Sequence, residues 1–197
     1  MAAEYDTLRM PADPVDERSG AVGDMTAYLD LKRELVGGLR GRVLEIGAGS
    51  GVNFGLLADD VTWTGLEPRR RRRAGSGKRP VIDGVAEDVP LPDGSVDAVL
   101  ATTVLCSVRS QEQTLAEVLR VLRPGGRFVF FEHVAAPVGT WQRRWQSLIA
   151  PCSRFADAGC DPSRETWTAV QRAGFGSLRL EWFARGSWPF VGGQGVK

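Results

Sequence analysis

Two rhythms of apolar residues alternate along this chain from about residue 24 onward. The first is helical: Met25, Leu29, Leu31, Leu35, Val36 and Leu39 recur at mostly three- and four-residue spacing, with Asp24 placed to cap the helix and Gly37 and Gly38 placed to end it. The second is a series of short, almost unbroken apolar runs: "RVLEIG" (42–47), "VTWTGL" (61–66), "RPVID" (79–83), "VDAVLA" (96–101) and "RFVFFE" (127–132). Runs of that length without polar alternation are strands buried on both faces. Between them the pattern predicts a short helix over 52–58 and an amphipathic one over 110–122. The latter carries Leu115, Val118, Leu119 and Leu122 on one side and is halted by Pro124, Gly125 and Gly126.

Strands that alternate with helices imply a parallel sheet covered on both sides, a doubly wound α/β architecture. The tail breaks the rhythm. Residues 163–174 read as a helix capped by Ser163, and 175–183 and 190–197 as an antiparallel pair closing the sheet. Residues 1–23 are acidic, hold Pro and Gly without a sustained period, and read as a flexible arm. The remainder, 24–197, is of a size for one domain.

Composition narrows the class. At 197 residues, 43% apolar and 25% charged, the chain has the make-up of an ordinary globule. Its formal net charge of +1 gives no global field to draw a polyanion, although five arginines stand together at 69–73. Lysine occurs only at Lys32, Lys78 and Lys197, so the arginine run reads as a local solvated feature in an arginine-biased sequence, and no nucleic-acid partner is expected. Cys106, Cys152 and Cys160 make an odd set without CxxC spacing, which implies neither a disulfide framework nor a zinc knuckle; no metal is expected. No stretch approaches the roughly 18 apolar residues of a membrane span, and the expected location is cytoplasmic.

The chemistry begins at "VLEIGAGSG", where Gly47, Gly49 and Gly51 follow a strand, with Glu45 two residues ahead of them. Glycine suits such a turn because the chain must bend sharply and let a ligand approach its backbone. About 20 residues on, at the end of the next strand, Glu67 is placed to accept both hydroxyls of a ribose. Dinucleotides and S-adenosylmethionine share this geometry. Glu45, the GxGxG spacing and the short chain favour the second.

"VLEIGAGSG", "LEP", "AEDVPLPDGSVDAVL", "EVLRVLRPGG" and the closing strands together resemble the class I S-adenosylmethionine-dependent methyltransferases. The resemblance implies a seven-stranded Rossmann-like sheet of order 3-2-1-4-5-7-6 with strand 7 antiparallel. It also implies cofactor contacts from Glu45, Gly47, Ala48, Gly49, Gly51, Glu67, Pro68, Ala86, Glu87, Thr102 and Thr103. Val85 stands where relatives often carry Asp, so the adenine edge is left to Ala86 and Glu87. "VLCSV", "FEHV", "GTW", "WQ", "GC" and "RETW" narrow the resemblance to small methyltransferase-like proteins that methylate alkyl thiols. It implies a small-molecule methyl acceptor, most readily a thiol, since a thiol is already partly ionised near neutral pH. His133, the single histidine, is then the candidate base. Leu105, Cys106, Trp141 and Trp145 become candidate substrate contacts, and 134–162 a candidate cap with Leu148 and Phe155 in its apolar wall. An O- or C-methyltransferase of a secondary metabolite or quinone, an arsenite methyltransferase, and a cofactor-binding module without turnover stay open as alternatives.

Overall fold

The computed structural model describes residues 22–68, 80–156 and 159–197. Of the arm expected over 1–23, residues 1–21 lie outside the described residues, as do the arginines at 69–73, while Val22 and Gly23 are a strand. In chain order the elements are β1 (Val22–Gly23), α1 (Met25–Gly37), β2 (Arg42–Ile46), β3 (Thr62–Leu66), β4 (Val81–Ile82), β5 (Val96–Thr102), α2 (Gln111–Val121), β6 (Leu122–His133), α3 (Trp141–Ala156), α4 (Thr166–Arg172), β7 (Ser177–Arg185) and β8 (Trp188–Val196). They form one sheet of order β1-β7-β8-β6-β5-β2-β3-β4. Seven of those strands reproduce the expected order 3-2-1-4-5-7-6, and β8 runs antiparallel to both β6 and β7. The eighth strand is the addition: Val22 and Gly23 pair with Trp182 and Phe183 at the edge of β7, immediately before α1.

Each sheet face carries its own core. One buries Tyr28, Leu31, Leu35 and Val36 of α1 against Val129 and Phe131; the other buries Leu115, Val118 and Val121 of α2 against Phe128 and Phe130. Asp24 starts α1 as expected, its Oδ1 accepting from the backbone N–H groups of Thr26 (2.8 Å) and Ala27 (2.9 Å). The glycines of β8 answer to close approach, since a Cβ on Gly193 would stand 2.0 Å from the Arg179 carbonyl oxygen of β7.

Three local expectations differ from the structure. The helix over 52–58 is only a 3₁₀ turn, Phe54–Leu56, because the segment follows Gly51 and contains Gly55, and Asn53 turns its side chain into a buried network. Strand β6 starts at Leu122, before the Pro-Gly-Gly segment, and follows a register shift opposite β5. The last helix begins at Thr166, with Glu165 at the cap position making no side-chain hydrogen bond to the helix backbone; its Oε1 instead accepts from Arg143. Ser163 caps nothing there, as its N–H and hydroxyl both bond Oδ1 of Asp161.

One surface group ties the N-terminal ends of three strands together. Asp97 accepts from the Arg42 backbone N–H (2.7 Å) and from Arg123 Nε (2.6 Å), and these bonds, the backbone one foremost, hold its carboxyl below the usual range. A depressed carboxyl stabilises the fold above its unfolded value of about 3.9, and that contribution fades as pH falls through the folded value. Asp97→Asn is expected to cost about 1–2 kcal/mol at pH 7, discounted for solvent screening, and to flatten the stability decline below about pH 4. Urea titrations from pH 2 to 7 check it; parallel wild-type and variant curves would contradict it.

Candidate active site

Strands β2, β3 and β5 end level with one another, Ile46 pairing with both Leu66 and Ala101, so the turns that follow them meet at one edge. At that edge the glycine turn is left-handed at Gly47 (φ 62°), Gly49 (φ 52°) and Gly51 (φ 71°). Space as well as dihedral requires glycine at Gly47, because a Cβ there would sit 2.4 Å from Val104 Cγ2. Behind the turn, buried Glu45 accepts from Asn53 Nδ2 through Oε1 and from Trp63 Nε1 through Oε2, both at 2.7 Å. Asn53 Nδ2 also donates to Thr102 Oγ1 at 3.0 Å. Glu45 and Thr102 thus support the turn from inside, away from the ligand face expected of them.

Glu67 closes β3 and is only 6% exposed; its Oε2 accepts from the Gly49 N–H at 3.1 Å. Turn and acid open on a cavity of about 320 Å³. Of the expected cofactor residues, Gly47, Glu67, Pro68, Ala86 and Glu87 line it. Ala48, Gly49 and Gly51 shape the turn without lining the cavity, and Thr102 and Thr103 stand off its wall. Thr103 is left-handed at φ 52°, a strained setting for a β-branched residue, with its N–H donating to Phe131 O at 2.8 Å. A larger concavity of about 520 Å³ between α2 and α4 contains neither the glycine turn nor Glu67.

The opposite wall was not named from the sequence, although its Arg154 and Gly159 fall within the candidate cap 134–162. Ser107, Val108, Arg109, Arg154, Gly159 and Arg164 form it, brought there from the segment after β5, from α3 and from the segment before α4. Arg109 gives its backbone N–H to Oε1 of Glu87. Arg164 donates to the carbonyls of Leu105 (3.1 Å) and Val108 (2.6 Å), and Arg154 pairs with Asp161. No spacing in the sequence announces these contacts, which, apart from the Arg154–Asp161 pair, join residues far apart in the chain.

The expected substrate contacts fare unequally. Leu105 is a core residue, fully buried. Trp141 and Trp145 face solvent at 65% and 52% exposure, as do Leu148 and Phe155, so this set does not wall the cavity. The reason lies in how α3 docks: Gln146 accepts from Ala136 N–H and donates to the Val134 carbonyl, which turns the opposite, apolar face outward. His133 is also absent from the cavity lining. Its Nε2 lies 3.1 Å from Cys160 Sγ.

That contact belongs to a cluster. The ligand-capable atoms of Cys106, His133 and Cys160 all lie within 4.8 Å of one another. Cys106 Sγ is also 3.5 Å from Ser107 Oγ, and Ser107 and Gly159, the chain neighbours of the two cysteines, both line the cavity. The hydrogen bond with Cys106, foremost, and that with His133 outweigh burial and hold the Cys160 thiol below the usual thiol range. Cys106, bonded to Cys160 and buried, is pushed up. Below the cluster, burial pushes the Glu132 carboxyl up to about 7 against the opposing backbone N–H groups of Val104 and Leu105. Glu132 therefore anchors the segment after β5 and does not reach the cavity.

Comparison with known proteins agrees with this geometry. A methyltransferase-domain profile matches residues 44–130. The chain is 39% identical to human thiol S-methyltransferase TMT1A over 79% of its own length and 70% of that protein's. It is 35% identical to human TMT1B over 84% and 78%. An S-adenosylmethionine-dependent methyltransferase from Thermotoga maritima superposes with a TM-score of 0.63 at 25% identity, covering 86% of this chain and 89% of the other. The cavity suits the cofactor of that fold: the turn at Gly49 has no side chain in the way, and the nearly buried Glu67 carboxylate can accept ribose hydroxyls. The chain belongs to the S-adenosylmethionine-dependent methyltransferases, in the family that includes the human thiol S-methyltransferases.

Proposed function

We propose that this methyltransferase acts on the sulfur of a small-molecule thiol. The observation that carries the reading is the meeting of the cofactor cavity with the Cys106–His133–Cys160 cluster across Ser107 and Gly159. The names of its two human relatives support it.

When bound, S-adenosylmethionine supplies an electrophilic methyl on a sulfonium sulfur. The chain then has to hold the adenosyl group, align the acceptor and exclude water, since in-line displacement asks for little else. Glu67 holds the ribose, Ala86 and Glu87 border the adenine edge, and Gly47 and Gly49 keep the approach free of side chains. Arg154 and Arg164 close the facing wall, their charge partly offset by Asp161. A free thiol near pKa 8.5 is only a few per cent ionised at pH 7, so its activation decides the rate. His133 does not line the cavity; activation falls to the cluster as a unit.

The test is an S-adenosylhomocysteine release assay over matched alkyl thiols, alcohols, amines, phenols and quinols. Alkyl thiols are expected to exceed their alcohol and amine counterparts by at least about 10-fold in kcat/KM, in line with thiolate nucleophilicity. Turnover of phenols or quinols with thiols inert would replace sulfur by oxygen or carbon as the acceptor atom.

A further inference from the structure

We propose that Cys106, His133 and Cys160 form a zinc site whose open coordination position takes the sulfur of the acceptor thiol. The proposal deepens the thiol reading above and rests on it.

Three elements deliver the ligands: Cys106 follows β5, His133 ends β6 and Cys160 follows α3. The cysteines show no metal-binding spacing in sequence, and the sheet brings them together with the histidine. Two sulfurs and an imidazole nitrogen are a soft donor set that disfavours Mg²⁺ and Ca²⁺, which take oxygen ligands. Two Cys and one His, with a fourth position left open, is a pattern of catalytic zinc, whereas structural zinc takes four protein ligands. The third cysteine, Cys152, is exposed on α3 and outside the cluster.

The bland alternative is a trio of small buried residues. Two features weigh against it. Leucine, valine or alanine would fill such a position without burying polar atoms, yet Cys106 and Cys160 are buried around a ring nitrogen. In addition, the chain neighbour of His133, Glu132, is fully buried, and its Oε2 has no hydrogen-bond partner among the described residues. A divalent cation would compensate two thiolates beside that carboxyl. Ser107 and Gly159, the chain neighbours of Cys106 and Cys160, line the cavity, so the cluster lies directly behind its wall.

The chemistry balances. As the acceptor R–SH coordinates, its S–H proton passes to solvent and zinc retains the thiolate, because coordination deprotonates a thiol outright. A zinc ion with two cysteine thiolates is neutral, so the added thiolate leaves a net negative, nucleophilic sulfur. Its lone pair forms the new S–CH₃ bond while the sulfonium's S–CH₃ bond breaks and leaves its electron pair on the departing sulfur. The products are R–S–CH₃ and S-adenosylhomocysteine, and the neutral thioether leaves zinc more readily than a thiolate.

The experiment uses the full chain, reduced, loaded with Zn²⁺ and passed through metal-free buffer. Elemental analysis is expected to find about one zinc per chain, falling below about 0.1 in Cys106→Ser, His133→Ala and Cys160→Ser and unchanged in Cys152→Ser. Cobalt substitution supplies a second readout without turnover: sulfur-to-cobalt charge-transfer bands, with visible bands that shift on adding butanethiol and not on adding butanol. Because Cys106 is the most buried ligand, His133→Ala and Cys160→Ser carry the test if Cys106→Ser does not fold. Equal zinc in wild type and a folded variant, or no charge-transfer band, overturns the site. A cobalt spectrum indifferent to butanethiol overturns thiol coordination. Chelation is expected to lower thiol turnover at least 10-fold, with one equivalent of zinc restoring it. Metal-free enzyme that methylates thiols at the full rate refutes the zinc role and leaves the thiol reading standing. Zinc bound with no thiol ever methylated refutes the thiol reading and, with it, the catalytic half of this proposal.

Discussion

Glu67→Ala is expected to weaken S-adenosylmethionine binding at least about 100-fold. The carboxylate is almost fully buried at the end of β3 and lines the cavity, with the Gly49 N–H fixing one of its oxygens. Two hydroxyl donors to such a charged acceptor contribute about 1.5–3 kcal/mol each, and about 3 kcal/mol in all corresponds to somewhat more than 100-fold in Kd. Stability is expected to change by only about 1 kcal/mol, since the protein-internal loss is one hydrogen bond to a turn that water can reach. Calorimetry with adenosine and with 2′,3′-dideoxyadenosine locates the effect. Adenosine should lose affinity by a similar factor, while the dideoxy compound, lacking both hydroxyls, should bind wild type and variant alike. Wild-type affinity for the cofactor in Glu67→Ala would remove the ribose assignment.

Gly47→Ala is expected to damage both stability and binding. Its φ of 62° is a conformation that costs an L-residue about 1–2 kcal/mol, and the added Cβ would stand 2.4 Å from Val104 Cγ2, an overlap worth about another 1–3 kcal/mol. Together they amount to roughly 2–5 kcal/mol, which for a domain of this size lowers Tm by about 5–15 °C. The two causes separate experimentally. Val104→Ala removes the methyl group in the way, so the double variant should recover the steric part and keep the dihedral part. Cofactor affinity should stay depressed in both, because the turn itself has moved. An unchanged Tm and Kd in Gly47→Ala would mean that the turn tolerates a side chain and that the glycine is there for neither reason.

The cofactor half of the site was legible because its parts are local. A glycine turn after a buried strand and an acid ending the next one are fixed by spacing, and parallel pairing of β2 with β3 sets Gly47 and Glu67 side by side. Glu45 shows the limit of such reading. Its place before the glycines is visible in the chain, but its hydrogen bonds to Asn53 and Trp63, which make it a support for the turn, depend on how β3 packs. Trp141 and Trp145 show the opposite failure: a helical apolar stripe announces that a face exists without saying whether it turns inward, and Gln146 turned this one out.

Hydrophobic period and turn residues determined the doubly wound sheet and the glycine turn at its edge from the sequence by itself, since each is a local property of the chain, whereas the strand order was implied by the family resemblance and is reproduced by seven of the eight strands. Only the tertiary structure decided the wall of Arg109, Arg154 and Arg164 and the gathering of Cys106, His133 and Cys160. Those residues meet through sheet order and the docking of α3, contacts between segments far apart in sequence whose positions no local pattern records.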